Sequence, residues 1–151
     1  MIKEFSAGGI VYKKIQIPKS KFQKNKVVWL VCQHSQHKGW VFPKGLIGDH
    51  QTDETKEETA LREVGEETGV KTKIVMPLKF PVSYFYTWQQ EKRFKTVHYF
   101  LMEYENGDTK DHDWEMSAVE WWDEEKVKKD LTYKSDKKAF KEALKMMKLS
   151  A

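Results

Sequence analysis

The segment GDHQTDETKEETALREVGEETGV, residues 48–70, contains the pattern that decides the fold. From Asp53 to Thr68 its residues follow helical spacing, and Gly69 comes next as a residue that ends helices. One sector of this helix is apolar and suited to packing on a sheet, and it contains Ala60, Leu61 and Val64. The segment therefore predicts a helix over residues 53–68 that lies against a sheet.

A neighbouring sector of the predicted helix collects three glutamates, Glu63, Glu66 and Glu67. At 100° per residue, Glu67 lies about 40° to one side of Glu63, and Glu66 lies about 60° to the other. Like charges at this spacing destabilise a helix by roughly 0.2–0.5 kcal/mol per pair, and the helix dipole disfavours anions near the C-terminal end. A hard divalent cation removes both penalties, and magnesium prefers oxygen ligands. The cluster therefore predicts a magnesium site, and a solvated acidic face is the alternative.

The same segment fits a longer pattern, G-x5-E-x7-R-E-U-x-E-E-x-G-U, where U is a bulky apolar residue. The matching positions are Gly48, Glu54, Arg62, Glu63, Val64, Glu66, Glu67, Gly69 and Val70. This pattern is the Nudix box, and the chain resembles the Nudix hydrolases. The resemblance implies an α/β/α sandwich with a mixed central sheet, formed by residues 1–151 as a single domain. It also implies an enzyme in which water attacks a phosphorus of a diphosphate.

The resemblance assigns roles within the box by position. It implies that Mg²⁺ or Mn²⁺ is bound by Glu63, Glu66 and Glu67, and that Glu54 and Arg62 organise the loop through an ion pair. Gly48 and Gly69 hold the two glycine positions of the box. One departure concerns Pro43-Lys44-Gly45, which lies three residues too early for Gly45 to serve as the box glycine, so that Asp49-His50-Gln51 falls in an insertion. Asp49 and His50 either contact metal or substrate or belong to an exposed loop.

Motifs outside the box resemble the asymmetric dinucleoside tetraphosphate (Ap4A) hydrolases and their diphosphoinositol polyphosphate relatives. These motifs are residues 6–11, 40–45, 95–103 and 120–122. The resemblance implies that Glu103 is a metal ligand or the catalytic base, and that Lys44 and Lys95 face the phosphate chain. The general base is left open between Glu67 and Glu103, and Glu66 is a third candidate catalytic residue.

Two tyrosines lie on the strand where these relatives place an aromatic residue that stacks on a nucleobase. Tyr84 and Tyr86 are two residues apart and therefore share one face of a strand. Either of them is a base-stacking residue or part of the core. The substrate implied by the outer motifs is a nucleotide derivative, with diadenosine tetraphosphate as the first choice.

The rest of the chain predicts a β-rich order of elements with a second helix at the end. The expected strands cover residues 4–13, 26–33, 71–88, 93–105 and 118–122, with a loop at 15–25 and a turn around 89–91. A short helix is expected at 123–129, and a final helix begins at Ser135. The final helix has an apolar stripe that predicts a core-facing surface, formed by Phe140, Ala143, Leu144 and Met147.

Composition narrows the classes of protein that fit. The chain has 151 residues, a net charge of +4 and one cysteine, so no internal disulfide is possible and a reducing cytoplasm is expected. No apolar run is long enough to span a membrane. The basic segment 13–26 would suit RNA, which keeps hydrolysis of a nucleoside triphosphate or of an RNA 5′ end as an alternative. A non-catalytic nucleotide sensor is the other class, although such domains lose box glutamates and this chain retains them.

Overall fold

The computed structural model describes residues 1–16, 25–48 and 52–150. Within these ranges the strands are β1 (Ile2–Gln16), β2 (Asn25–His34), β3 (Trp40–Val41), β4 (Lys44–Leu46), β5 (Val70–Pro77), β6 (Val82–Trp88), β7 (Glu91–Gly107) and β8 (Met116–Trp122). The helices in the same ranges are α1 (Lys56–Thr68), α2 (Glu124–Asp130) and α3 (Lys134–Ser150). The insertion 49–51 and most of the predicted loop 15–25 lie outside the described residues, while Ile15 and Gln16 continue β1.

The strands form one mixed sheet with β1 and β7 parallel at its centre. The order along the sheet is β3-β2-β1-β7-β5, with β4 on β1, β6 on β7 and β8 on β2, and every pairing except β1–β7 is antiparallel. Side chains alternate between the two faces of each strand. In β1, Val11 belongs to the cluster under α1, and Ile10 belongs to the cluster under α3. Helices therefore cover both faces of the sheet, which confirms the predicted α/β architecture.

Helix α1 begins at Lys56 and not at Asp53 as the sequence predicted. Thr55 is the N-cap, because its side chain accepts the backbone N–H of Glu58 while the Glu58 side chain accepts the backbone N–H of Thr55. This capping box fixes the start of the helix. The helix ends as predicted at Gly69, whose φ of 78° is in the left-handed region that favours glycine.

The predicted strand over residues 71–88 is divided into β5 and β6 by residues 78–81. The long strand β7 explains the division, because it pairs with β6 through residues 91–97 and with β5 through residues 100–107. The turn between β6 and β7 has positive φ values at Gln89 (50°) and Gln90 (64°), as expected of a tight two-residue hairpin. Side chains of β6, such as Val82 and Tyr84, lie on the face of the sheet that α3 covers.

The final helix packs as its apolar stripe predicted. Phe140 and Ala143 are fully buried in the cluster that includes Trp29 and Leu101, with Leu144 and Met147 packed against it. Cys32 is also fully buried, as expected of a strand thiol. In the described part of the chain, no helix is both long and apolar enough to cross a membrane.

Candidate active site

Arg62 is the centre of the polar contacts on α1. Its Nε donates to Glu54 Oε2 at 2.8 Å, and its Nη2 donates to Glu54 Oε1 at 2.9 Å. Nη1 donates to Glu63 Oε1 at 2.8 Å and to Glu66 Oε2 at 3.3 Å. The structure therefore contains the ion pair between Glu54 and Arg62, and the guanidinium also joins the segment before the helix to two of the three glutamates.

Glu63 and Glu67 are buried, whereas Glu66 is exposed. Burial raises the pKa of Glu67 well above its usual range, and the neighbouring charge of Glu63 raises it further, against the lowering effect of Lys44. Burial also raises the pKa of Glu63, and the hydrogen bond from Arg62 opposes this shift. The buried pair thus resists carrying two negative charges without a cation beside it.

The backbone of Lys44-Gly45 lies directly against these two carboxyl groups. The Lys44 backbone N–H donates to Glu67 Oε2 at 3.0 Å. A Cβ atom on Gly45 would stand 2.1 Å from Glu63 Cδ, so only glycine allows this approach. Gly45 therefore provides a close backbone contact although it lies outside the box. The box glycine, Gly48, has a φ of 77°.

The carboxylates fit a hard divalent cation by their chemistry. They are oxygen donors, and a cation would offset both the burial and the charge of Glu63 that raise the pKa of Glu67. In the ranges that the structure describes, no three His, Cys, Asp or Glu side chains stand together at metal-binding spacing. Instead, the Arg62 guanidinium holds Glu63 and Glu66. A cation held by all three glutamates would therefore need Glu63 and Glu66 to turn away from Arg62 towards Glu67.

A cleft of about 840 Å³ opens beside Glu67. Its lining includes Lys44, Lys95, Tyr84 and Tyr86, so the structure brings all four predicted substrate residues together with Glu67. Tyr84 is paired with Lys95 across β6 and β7, and the Lys95 Nζ atom lies 5.2 Å from the centre of the Tyr86 ring. The volume is in the range of small-molecule sites, which is roughly 300–1,000 Å³.

The two lysines of the cleft differ in their electrostatic surroundings. Burial tends to lower the pKa of Lys44, but the charges of Asp136, Tyr84 and Glu67 outweigh burial and raise it. Burial lowers the pKa of Lys95, and the charge of Lys44 lowers it further. The pair therefore places two ammonium groups in the cleft, and an anion beside Lys95 would oppose the lowering of its pKa by burial and by the charge of Lys44.

A second aromatic group lines the cleft on elements other than β6. The rings of His34 and His37 stack with centroids 4.2 Å apart, and Tyr133 meets His37 edge-on at 5.7 Å. The δ nitrogen of each histidine accepts a backbone N–H, at 3.2 Å from Gln36 and 3.0 Å from Gly39. Sequence reasoning missed this group, because its members come from the end of β2, from the turn that follows it and from the residue before α3.

Glu103 is not brought together with the three glutamates. It lies with Tyr12 and Lys73 in a separate cavity of about 580 Å³, and its Oε1 atom is 3.4 Å from Lys73 Nζ. Odd-numbered residues of β7 face away from α1, and Glu103 follows Lys95 by eight residues, roughly 26 Å along an extended strand. In this structure Glu103 therefore lies apart from the three glutamates, and its role as a metal ligand or base stays a prediction.

Glu115 occupies the region where Glu103 was expected. It lines the cleft with Glu67, and its charge contributes to the raised pKa values of both Glu63 and Glu67. Two backbone hydrogen bonds, each 2.9 Å long, hold the loop that contains Glu115. The N–H of Asp113 donates to the carbonyl of Glu66, and the N–H of Ser35 donates to the carbonyl of Glu115. No spacing signal links Glu115 to the helix, since 47 positions separate it from Thr68.

Comparison with known proteins places these features in a family. A family model described as the NUDIX domain matches residues 20–144. The Mycobacterium tuberculosis protein named as mutator protein MutT4 is 33% identical over 123 residues, which cover 80% of this chain and 46% of that protein. The chain thus spans about half the length of this relative.

Solved structures share the fold. The Caenorhabditis elegans Ap4A hydrolase in a binary complex superposes with a TM-score of 0.72 at 22% identity, covering 95% of this chain and 97% of that chain. The NUDIX domain of Shewanella oneidensis NrtR, complexed with ADP ribose, gives 0.65 at 18% identity, with coverages of 97% and 90%. Nudix proteins generally use divalent metal cations. The chain belongs to the Nudix family.

Proposed function

We propose that this chain hydrolyses a diphosphate bond of a dinucleoside polyphosphate, with diadenosine tetraphosphate as the first candidate, in a reaction that depends on Mg²⁺ and accepts Mn²⁺. The observation that carries the proposal is the composition of one cleft. Its lining combines the carboxyl groups of Glu67 and Glu115, the ammonium groups of Lys44 and Lys95, and two separate aromatic groups.

A dinucleoside polyphosphate has a base at each end of an anionic chain, and the cleft offers a counterpart to each part. Tyr84 and Tyr86 supply ring faces from β6, and the stack of His34, His37 and Tyr133 supplies ring faces from other elements. Stacking of a base on an aromatic side chain contributes roughly 1–3 kcal/mol. Lys44 and Lys95 would bind the phosphates and offset the charge that develops on the leaving group.

Glu63, Glu66 and Glu67 would hold the cation, which would polarise the phosphate oxygens when bound. Glu67 is also the proposed general base. The Lys44 backbone N–H occupies its Oε2 atom, which orients the carboxyl group and leaves Oε1 to take a proton from the attacking water. We propose that Glu115, and not Glu103, completes the acidic group around this water.

A nucleoside triphosphate is the second candidate substrate. The specific observation in its favour is the 33% identity with a protein named as a mutator protein. A triphosphate would use one aromatic group of the cleft and leave the other without a partner. Activity on a triphosphate should therefore depend on one of the two aromatic groups and survive the removal of the other, whereas activity on a dinucleoside polyphosphate should depend on both.

The test is a panel of diadenosine tetraphosphate, ordinary and oxidised nucleoside triphosphates and ADP-ribose, with Mg²⁺, Mn²⁺ or a chelator. Products are separated by anion-exchange chromatography. The expected result is the highest kcat/KM on diadenosine tetraphosphate, with ATP and AMP as products and no turnover in the chelator. A higher kcat/KM on triphosphates would support the second candidate, and no turnover of any compound with either metal would refute the proposed hydrolysis.

A further inference from the structure

Helix α3 carries a row of lysines that the proposed hydrolysis of a small nucleotide does not explain. At 100° per residue they fall within a sector of about 100°. We call this row the lysine stripe, and its members are Lys134, Lys137, Lys138, Lys141, Lys145 and Lys148. All six are exposed, while the other side of the helix buries Ala139, Phe140 and Ala143 in the core.

Among the residues that the structure describes, the lysine stripe has no carboxylate partner within ion-pair distance. None of its members forms an ion pair with any residue in the ranges 1–16, 25–48 and 52–150. The neighbouring helix α2 differs, since Lys126 pairs with Asp130 at 3.0 Å and Lys128 pairs with Glu124 at 2.8 Å. Unpaired lysines three or four apart repel one another, and cations at the start of a helix oppose its dipole. An anionic partner would reduce the repulsion within the stripe, which the helix dipole offsets only towards Lys148 in the last turn.

The lysine stripe is continuous with the catalytic cleft. Lys134 and Lys138, at its first end, line the cleft, and the stripe continues along a helix of 17 residues, about 25 Å. Exposed aromatic side chains stand at the same rim, with Tyr133 42% and Phe85 56% exposed. Ring faces beside a row of cations are typical of sites for single-stranded nucleic acid, where bases stack and phosphates meet the cations. An anionic lipid surface would use the cations but not rings inside a cleft.

We propose that the lysine stripe binds the phosphate backbone of a single-stranded RNA whose 5′ polyphosphate enters the cleft. RNA is the nucleic acid that begins with a 5′ polyphosphate, and hydrolysis of that end is the same reaction as on a free nucleotide derivative. The inference rests on the proposed function for its chemistry. Binding along the stripe can be measured apart from turnover.

The test uses the full chain and a labelled 12-nucleotide single-stranded RNA bearing a 5′ triphosphate. Lys141→Gln, Lys145→Gln and Lys148→Gln are combined, because these three lysines do not line the cleft. The matched control combines Lys126→Gln, Lys128→Gln and Lys129→Gln on α2, with the same change in net charge. Kd is measured by fluorescence anisotropy at several salt concentrations, and circular dichroism verifies folding.

The stripe variant is expected to bind the RNA at least tenfold more weakly, while the control stays within twofold of the wild type. For the stripe variant, the slope of log K against log salt concentration should be less negative than that of the wild type by about 2. This corresponds to about 0.7 for each of the three lost phosphate contacts. Turnover of diadenosine tetraphosphate should be unchanged in both variants, and kcat/KM on the RNA should fall only in the stripe variant. Equal weakening in both variants, or none in either, would refute the stripe as an RNA site.

Two further measurements distinguish this inference from the proposed function and from binding to a lipid surface. RNA binding that depends on the stripe, without turnover of any substrate, would refute the proposed hydrolysis and leave the RNA surface standing. Sedimentation with vesicles of phosphatidylserine and phosphatidylcholine tests a lipid partner. Stripe-dependent binding to vesicles without binding to RNA would overturn the RNA proposal.

Discussion

The carboxyl group of Glu63 fills the space in which a side chain at Gly45 would stand. A Cβ atom at Gly45 would lie 2.1 Å from Cδ and 2.3 Å from Oε1 of Glu63. The same Oε1 atom accepts a hydrogen bond from Arg62 at 2.8 Å. The backbone of β4 thus sets the position of a proposed metal ligand on α1, even though Gly45 falls outside the nine matching positions of the box.

Replacement of Gly45 by alanine should reduce metal binding and activity without unfolding the protein. The added methyl group would displace the Glu63 carboxyl group, which is the end of a flexible side chain and not part of the backbone. We expect a loss of at least about tenfold in kcat/KM and a higher metal concentration for half-maximal rate, since ligand misplacement by about 1 Å has large effects. Gly65→Ala is the control, because the nearest atom to its Cβ would be 3.8 Å away. Equal activities of the two variants would contradict the role given to Gly45.

Glu67→Gln should lower kcat by about 10²–10⁴, the range for loss of a positioned general base. The fold should survive, because the amide oxygen of glutamine still accepts the Lys44 backbone N–H. Turnover of diadenosine tetraphosphate with saturating Mg²⁺ is the measurement. Glu57→Gln, at an exposed position in the first turn of the same helix, should retain full activity. An unchanged rate for Glu67→Gln would remove Glu67 from the mechanism.

The Glu54–Arg62 pair should behave as a strongly coupled unit in unfolding experiments. Glu54 and Arg62 side chains are only 7% and 18% exposed, so the loss of either one leaves a poorly solvated charge. Glu54→Gln and Arg62→Met should each cost about 3 kcal/mol of unfolding free energy, and the double variant should cost clearly less than their sum. Urea titrations give all four values. The exposed pair Glu124–Lys128 serves as the control cycle and should show a much weaker coupling.

The sequence predicted the α/β fold and the helix with its glutamates because these depend on local patterns, whereas Lys44, Lys95, Tyr84 and Tyr86 were placed in the site by resemblance alone. The helix with its three glutamates, Gly69 as its stop signal, and the buried strands all follow from spacing along the chain. The start of α1 was placed three residues early, because helical spacing continues through residues that the capping box at Thr55 excludes. The division of 71–88 into two strands was missed, because it depends on the partners that β7 offers.

The positions of Glu103 and Glu115 relative to the cleft could not be predicted from the sequence. Glu103 was placed by resemblance along the chain, but eight residues of extended strand separate it from Lys95 at the cleft. Glu115 was overlooked because it reaches the site through a loop fastened to α1 and β2 by backbone hydrogen bonds. Such contacts join residues that are distant in sequence, and no periodicity along one segment reports them.

Lys95→Ala should impair hydrolysis of long phosphate chains more than that of simple diphosphates. Lys95 lies in the cleft with Lys44, and burial together with the charge of Lys44 lowers its pKa, so an added phosphate would stabilise its charged form. We expect about a tenfold loss of kcat/KM on diadenosine tetraphosphate and a smaller loss on ADP-ribose. Lys71→Ala, an exposed position on β5, is the control. Equal losses on both substrates would count against contact between Lys95 and the phosphate chain.

The stacked histidines should make stability depend on pH in the range just below neutrality. Burial lowers the pKa of His34 from its ordinary value of 6.5, with the charge of Lys44 second, and burial lowers the pKa of His37, with His34 and Lys44 following. Protonation would also convert both δ nitrogens from acceptors into donors and break the backbone hydrogen bonds from Gln36 and Gly39.

The direction of the pH effect follows from these lowered pKa values. At pH values between the folded and the unfolded pKa, the unfolded chain binds more protons than the folded chain. The contribution of the two histidines to the unfolding free energy is therefore complete above about pH 6.5 and is lost as the pH falls below that value. The variant that combines His34→Gln and His37→Gln lacks these groups. The unfolding free energy of the wild type minus that of the variant should be constant from pH 8 to 7 and should fall towards pH 5. Urea unfolding followed by tryptophan fluorescence measures this difference, and a difference that rises on acidification would refute the neutral, stacked state of the histidines.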